Sequence, residues 1–176
     1  FNYPPPPANT NPPATCNAHT SGEYSDIATS DDSRDTTTVS DDLEGFLYLD
    51  ATVSNYQTAL YINWTWEGIC NEVSGADSSC SFYLWNQTKG AWYSCAVIGE
   101  SSSEFVQNCF INGTVSDFLT DGHAYFMVYG DDPNDADSPG LSIQTDYVKL
   151  DVSTVTITLL SPNDNGSNAI FRLTNS

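Results

Sequence analysis

From Leu43 onward the chain repeats one device: short segments in which every second residue is apolar, separated by turn-forming residues. In "LEGFLYLDATV" Leu43, Leu47, Leu49, Ala51 and Val53 share one parity, and in "ALYINWTW" Leu60, Ile62, Trp64 and Trp66 share another. Similar segments lie at 82–86, 91–97, 104–111, 123–129, 141–152, 154–160 and 168–174. The joints are "SGADSS", "NQTKG", "IGESSS", "NG", "DG", "DDPNDADSPG" and "SPNDNGS", all rich in residues that bend a chain. Side chains two apart face the same way in a strand, so this period buries one face and wets the other. No segment carries a 3.6-residue period. Many short strands with turn-rich joints specify an all-β fold, an antiparallel β-sandwich of jelly-roll or Ig-like type.

Both ends depart from this pattern. Six of the first 13 residues are Pro, which favours an extended polyproline stalk or linker over residues 1–19. Residues 20–42 are rich in Ser, Thr and Asp and read as irregular loop leading into a sandwich domain that spans 20–152. The tail, 153–176, has strand patterning of its own: Val155, Ile157 and Leu159 alternate with Thr, and Ala169, Phe171 and Leu173 alternate after a turn. It can form a hairpin, begin a following repeat, or be given to a neighbouring subunit as an added strand. The chain begins at Phe1, which is expected of a processed polypeptide or of a segment of a longer one.

Five cysteines occur, with Cys70 and Cys80 flanking one turn region and Cys95 and Cys109 another. Pairing Cys70–Cys80 and Cys95–Cys109 is the expected arrangement, although four cysteines allow three pairings. Cys16 is then unpaired, intermolecular, or a competitor for one of these partners. Four Asn-x-Ser/Thr matches, at Asn63, Asn86, Asn112 and Asn165, accompany the cysteines and point to an oxidised, extracellular or cell-surface glycoprotein carrying covalent glycans.

Charge narrows the partners. Four Lys and Arg against 23 Asp and Glu give a formal charge of -19, a surface that repels nucleic acid and anionic membranes. No apolar run is long enough for a membrane span. Divalent cations and neutral polymers remain. Asp131, Asp132, Asp135 and Asp137 share one loop and could supply oxygens to calcium, although their spacing is not that of an EF-hand. Asp31, Asp32 and Asp35 form a second acidic cluster. No cofactor fingerprint, serine elbow or zinc-protease motif is present, so the chain is expected not to be an enzyme.

Aromatic residues offer another site. In "YLWNQTKGAWYSC", pairing Asn86 with Ala91 places Trp85 opposite Trp92, Leu84 opposite Tyr93 and Phe82 opposite Cys95. Phe82, Leu84, Tyr93 and Cys95 then face the core, and the Trp pair faces away beside Asn86. Tyr83, Trp85 and Trp92 are therefore candidate carbohydrate contacts. Similarly, if Trp64 and Trp66 point inward, Tyr61, Asn63 and Thr65 point outward.

The run "SGEYSDIATSDD", "WTWEGICNEVSGADSSCSFYLWNQTKGAWYSC", "HAYFMVYG" and "LSIQTDYVKLDV" resembles β-sandwich modules of large secreted and cell-surface proteins of archaea and bacteria. The resemblance covers about residues 21–152. It implies a jelly-roll-like sandwich related to carbohydrate-binding modules, in proteins of adhesion or surface architecture, with Val148, Leu150 and Val152 closing the core. Two functions follow as expectations. One is a structural or adhesive subunit of a pilus-like filament or surface layer, self-assembled head to tail by strand addition. The other is a lectin-like carbohydrate-binding module.

Overall fold

The computed structural model describes Pro12 and residues 19–38, 45–72, 78–131, 140–159 and 171–175, with the side chains of 45–46, 155–159 and 171–175 outside the description. Nine strands are described: β1 (Asp35–Thr38), β2 (Gly45–Thr52), β3 (Ala59–Asn71), β4 (Ser79–Asn86), β5 (Ala91–Gly99), β6 (Ser101–Asn112), β7 (His123–Asp131), β8 (Ser142–Leu159) and β9 (Phe171–Asn175). One sheet has the order β1-β8-β3-β6, with β9 on β8; the other has β2-β7-β4-β5. All pairings are antiparallel. The fold is an all-β sandwich.

Alternation does the packing. On β3, Ile62, Trp64, Trp66 and Cys70 are buried; they meet Phe82 and Leu84 of β4 and Ala124, Phe126 and Val128 of β7. Trp64 stacks on Phe126 at 5.3 Å, and Trp66 packs between Phe82 and Phe105 at 5.2 Å each. The Trp66 indole N–H donates to Thr145 Oγ1 at 3.0 Å, which satisfies its buried donor, whereas the Trp64 Nε1 in the same core is buried without a partner. Val148, Leu150 and Val152 pack against this core, as the resemblance implied. Leu60 breaks the pattern. Ala59 pairs with Thr154 and Tyr61 with Ser153, so Leu60 is the extra residue of a β-bulge and is left 49% exposed.

Both expected disulfides are present, Cys70–Cys80 and Cys95–Cys109, with Cα–Cα distances of 6.3 and 5.4 Å. Each joins one sheet to the other, β3 to β4 and β5 to β6, so both staple the sandwich across its core. Cys16 lies outside the described residues.

The segment read as irregular loop contains two elements. Ser21–Asp26 is a helical turn (α1) with a capping box between Thr20 and Glu23, and β1 follows at the edge of the first sheet. Six residues are too few to show a helical period, so the capping box was the only legible signal. At the other end, β8 is a single strand of 18 residues that runs through the expected boundary at 152 and pairs with β9 over Val155–Leu159. β9 thus lies antiparallel on the end of β8. No helix among the described residues is long and apolar enough to cross a membrane.

Candidate functional site

A sheet packed on one face normally turns polar residues outward on the other. The outward face of β2-β7-β4-β5 does the reverse. Trp85, Trp92, Met127 and Tyr129 form a second buried cluster there, with Tyr48, Tyr83 and Tyr125 packed around it. The hairpin register is the one expected from the sequence: Asn86 pairs with Ala91, Trp85 with Trp92 and Leu84 with Tyr93. A bulge after Phe82 shifts the next pair, so that Phe82 meets Ala96 rather than Cys95.

The Trp pair faces away from the main core, yet it is not an open platform. Trp85 is 6% and Trp92 7% exposed. The two rings meet edge to face at 5.3 Å. Trp92 also reaches within 6.4 Å of Tyr48, although β7 and β4 separate their strands, a span of about 14 Å at the spacing of neighbouring strands. The indole therefore lies across the sheet, which is why Met127 is fully buried on an outward face. The Trp92 Nε1 is buried without a hydrogen-bond partner.

The accessible part of this face lies beside the Trp pair. Tyr48 stacks on Tyr125 at 6.2 Å, and Tyr125 on His123 at 5.9 Å, with interplanar angles of 16° and 10°. All three side chains are half-buried. His123 Nδ1 sits 2.7 Å from Asp50 Oδ1, and the Tyr125 hydroxyl 3.5 Å from Asp121 Oδ2. The Asp50 hydrogen bond and charge raise the His123 pKa above its ordinary value, while partial burial, then Asp121 and Asp50, raise that of Tyr125. The result is a row of three parallel rings edged by two carboxylates. Sequence reasoning found only Tyr83 and the Trp pair. The alternation of Tyr125, Met127 and Tyr129 opposite the core residues Ala124, Phe126 and Val128 was the signal for the rest.

Asn86, the acceptor of one glycosylation match, is packed into the edge of this face. It is 5% exposed, and its Oδ1 accepts the Lys89 N–H at 2.8 Å. Gln87 N and Thr88 N both donate to the Asp117 carbonyl, and Gln87 Nε2 donates to the His123 carbonyl at 2.7 Å. The whole match joins the β4–β5 turn to the segment that runs from Asp117 to the start of β7. Asn63 lies on the outer face of the first sheet and Asn112 is exposed at the end of β6; Asn165 lies outside the described residues.

Asp132, Asp135 and Asp137 lie outside the described residues, and Asp131 is exposed at the end of β7. Asp31 accepts from Ser33 N and Thr29 Oγ1 in its own turn, and Asp32 pairs with Arg34 at 3.1 Å. Asp35 instead meets His19 at 3.1 Å, with Glu23 beyond. Burial raises the Asp35 pKa in spite of His19, so desolvation outweighs that attraction. A separate trio, Glu67, Glu104 and Asp146, converges from three strands, and Arg34 meets Glu104 there at 3.1 Å. Carboxylates so placed have the chemistry to hold a hard cation, but Arg34 already supplies positive charge.

Residues 4–154 match the model of the AF_1625_C family, described as "Uncharacterized protein, C-terminal domain", and the chain belongs to that family. No curated protein matches the chain. A similar solved structure is TmCBM61 in complex with beta-1,4-galactotriose, 10% identical, with a TM-score of 0.43, covering 68% of this chain and 70% of that one.

Proposed function

We propose that this member of the AF_1625_C family is an extracellular module that binds neutral glycans on the outer face of β2-β7-β4-β5 without acting on them. The observation that carries this reading is the half-buried row Tyr48–Tyr125–His123 beside Asp50 and Asp121. Sugars offer C–H faces that pack on aromatic rings and hydroxyls that donate to carboxylates, and this face supplies both. Trp85, Trp92 and Met127 form the rigid floor that holds the row in place. Tyr83, on the strand between them, borders the site. With a formal charge of -19 and two carboxylates at the site, uronic and sialic acids are repelled, so the class is neutral or amino sugars. An array of neutral oligosaccharides, followed by calorimetry on the bound members, tests the reading. Binding lost in Tyr125→Ala with folding intact supports it, and binding retained there places the site elsewhere.

A second reading, self-assembly into a surface filament, has one observation in its favour. Among the described residues, Val155–Leu159 pair only with β9, and an isolated two-stranded ribbon is marginally stable in water. Such a ribbon gains from a further strand edge, which a neighbouring copy would supply. Light scattering of the 176-residue chain and of one ending at 153 tests this. Assembly lost on truncation supports it, and monomers at high concentration in both oppose it.

A further inference from the structure

The outer face of the first sheet carries a different anomaly. Phe110 on β6 is 55% exposed and Tyr61 on β3 is 36% exposed, and their rings lie 5.4 Å apart. Their neighbours are polar. Asn63 pairs directly with Phe110, Thr65 with Asn108, and on the other side Asn63 pairs with Asp151 and Thr65 with Lys149. Asn63-Trp64-Thr65 is a glycosylation match whose Trp64 is in the core, so strand alternation turns both its Asn and its Thr outward. The acceptor amide is thus flanked by Tyr61 two residues before it and Phe110 across from it.

The geometry points to Asn63 as an N-glycan attachment site whose innermost sugar packs on the Tyr61–Phe110 pair. The reaction needs a lipid-linked glycosyl phosphate or diphosphate as donor. The Asn63 Nδ2 forms a bond to the anomeric carbon, the C–O bond to phosphate breaks, the electron pair leaves with the phosphate, and one amide proton passes to base. It takes place on the strand before β3 pairs with its neighbours. In the folded chain Nδ2 lies 3.2 Å from both Thr65 Oγ1 and Asn108 Oδ1. Attachment uses one of its two protons, so one of these hydrogen bonds survives and fixes the direction in which the sugar leaves the sheet. Thr65 Oγ1 donates to Asn108 Oδ1 at 2.9 Å, which holds the polar side of the cradle. The carbon faces of the sugar then cover two rings that otherwise stand in water.

Glycopeptide mass mapping of protein secreted from an N-glycosylating host tests attachment, and chemical denaturation tests the cradle. Asn63 is expected to be occupied. The glycosylated chain should have a folded-to-unfolded ratio about three- to tenfold above that of Asn63→Gln, the range of an aromatic packing contact. Thr65→Ala, which removes the acceptor motif but keeps Asn63, should lose at least this factor, because the Thr65 hydrogen bonds to Asn63 and Asn108 go with it. In a Phe110→Ala background occupancy should persist and the glycan-dependent factor should vanish. An unmodified Asn63 overturns the proposal, and so does a glycan-dependent factor that is unchanged by Phe110→Ala.

Discussion

Replacing Trp92 by alanine separates a structural role from a direct sugar contact. The side chain is 7% exposed, and it meets Trp85 at 5.3 Å and Tyr48 at 6.4 Å. Truncating a buried Trp typically costs about 3–5 kcal/mol. One compensation exists, because Trp92 Nε1 is a buried donor without a partner, a penalty of about 1–3 kcal/mol that the variant relieves. The net destabilisation should be about 2 kcal/mol, the difference of the two mid-range values. For a chain of this length that is a fall in Tm of about 4–8 °C. Trp92→Phe keeps an aromatic ring over Met127 and removes the orphan N–H, so its cost should stay below about 1.5 kcal/mol. Guanidinium unfolding followed by far-ultraviolet circular dichroism measures both, provided the denaturant slope is unchanged. If Trp92→Ala costs less than about 0.5 kcal/mol, the range of ordinary surface substitutions, the indole is not the floor of the site and the reasoning fails.

Gly68→Ala should be among the costliest single changes, at or beyond the upper end of about 1–3 kcal/mol for overpacking, because an added Cβ would stand 2.1 Å from the Gln144 carbonyl oxygen and 2.8 Å from the Trp66 ring. A near-neutral result in the same unfolding assay would contradict the pairing of β3 with β8. Removing Cys95 and Cys109 together should cost about 3 kcal/mol for the loop they close, and non-reducing peptide mapping should recover the Cys95–Cys109 link; a Cys95 linkage to any other cysteine would refute the cross-sheet staple. The Asp50–His123 pair raises the His123 pKa, so its stabilisation is complete below the ordinary value of 6.5 and is lost as pH rises through the elevated folded value. Asp50→Asn should bring the His123 titration, followed by NMR, back towards the ordinary value, and a stability gap to wild type that widens with rising pH would have the wrong sign.

The parts of this fold that were legible in the sequence are those where one physical rule acts alone. Ile62, Trp64 and Trp66 declared their face by period two, and the Trp85–Trp92 register followed from a four-residue turn. Where two rules compete, the reading fails. Leu60 has the parity of a core residue, but a bulge releases it to solvent. Phe82 was expected opposite Cys95 by simple register, but a bulge before Tyr83 sets it opposite Ala96. The β1 segment, Asp35–Thr38, has no apolar alternation, because it is an edge strand held by backbone pairing to β8. The site itself was half legible. Tyr83 and the Trp pair belong to one hairpin and could be read locally. Tyr48, Tyr125, His123, Asp50 and Asp121 come together only through the non-local order β2-β7-β4-β5.

Calorimetric titration of deglycosylated wild type and Tyr125→Ala with the neutral oligosaccharides retained on an array tests the central claim most directly. The expected result is saturable binding by wild type that disappears in Tyr125→Ala, while both proteins unfold cooperatively. Failure of wild type to bind any neutral glycan, or undiminished binding by the folded variant, would contradict a glycan site on this sheet face.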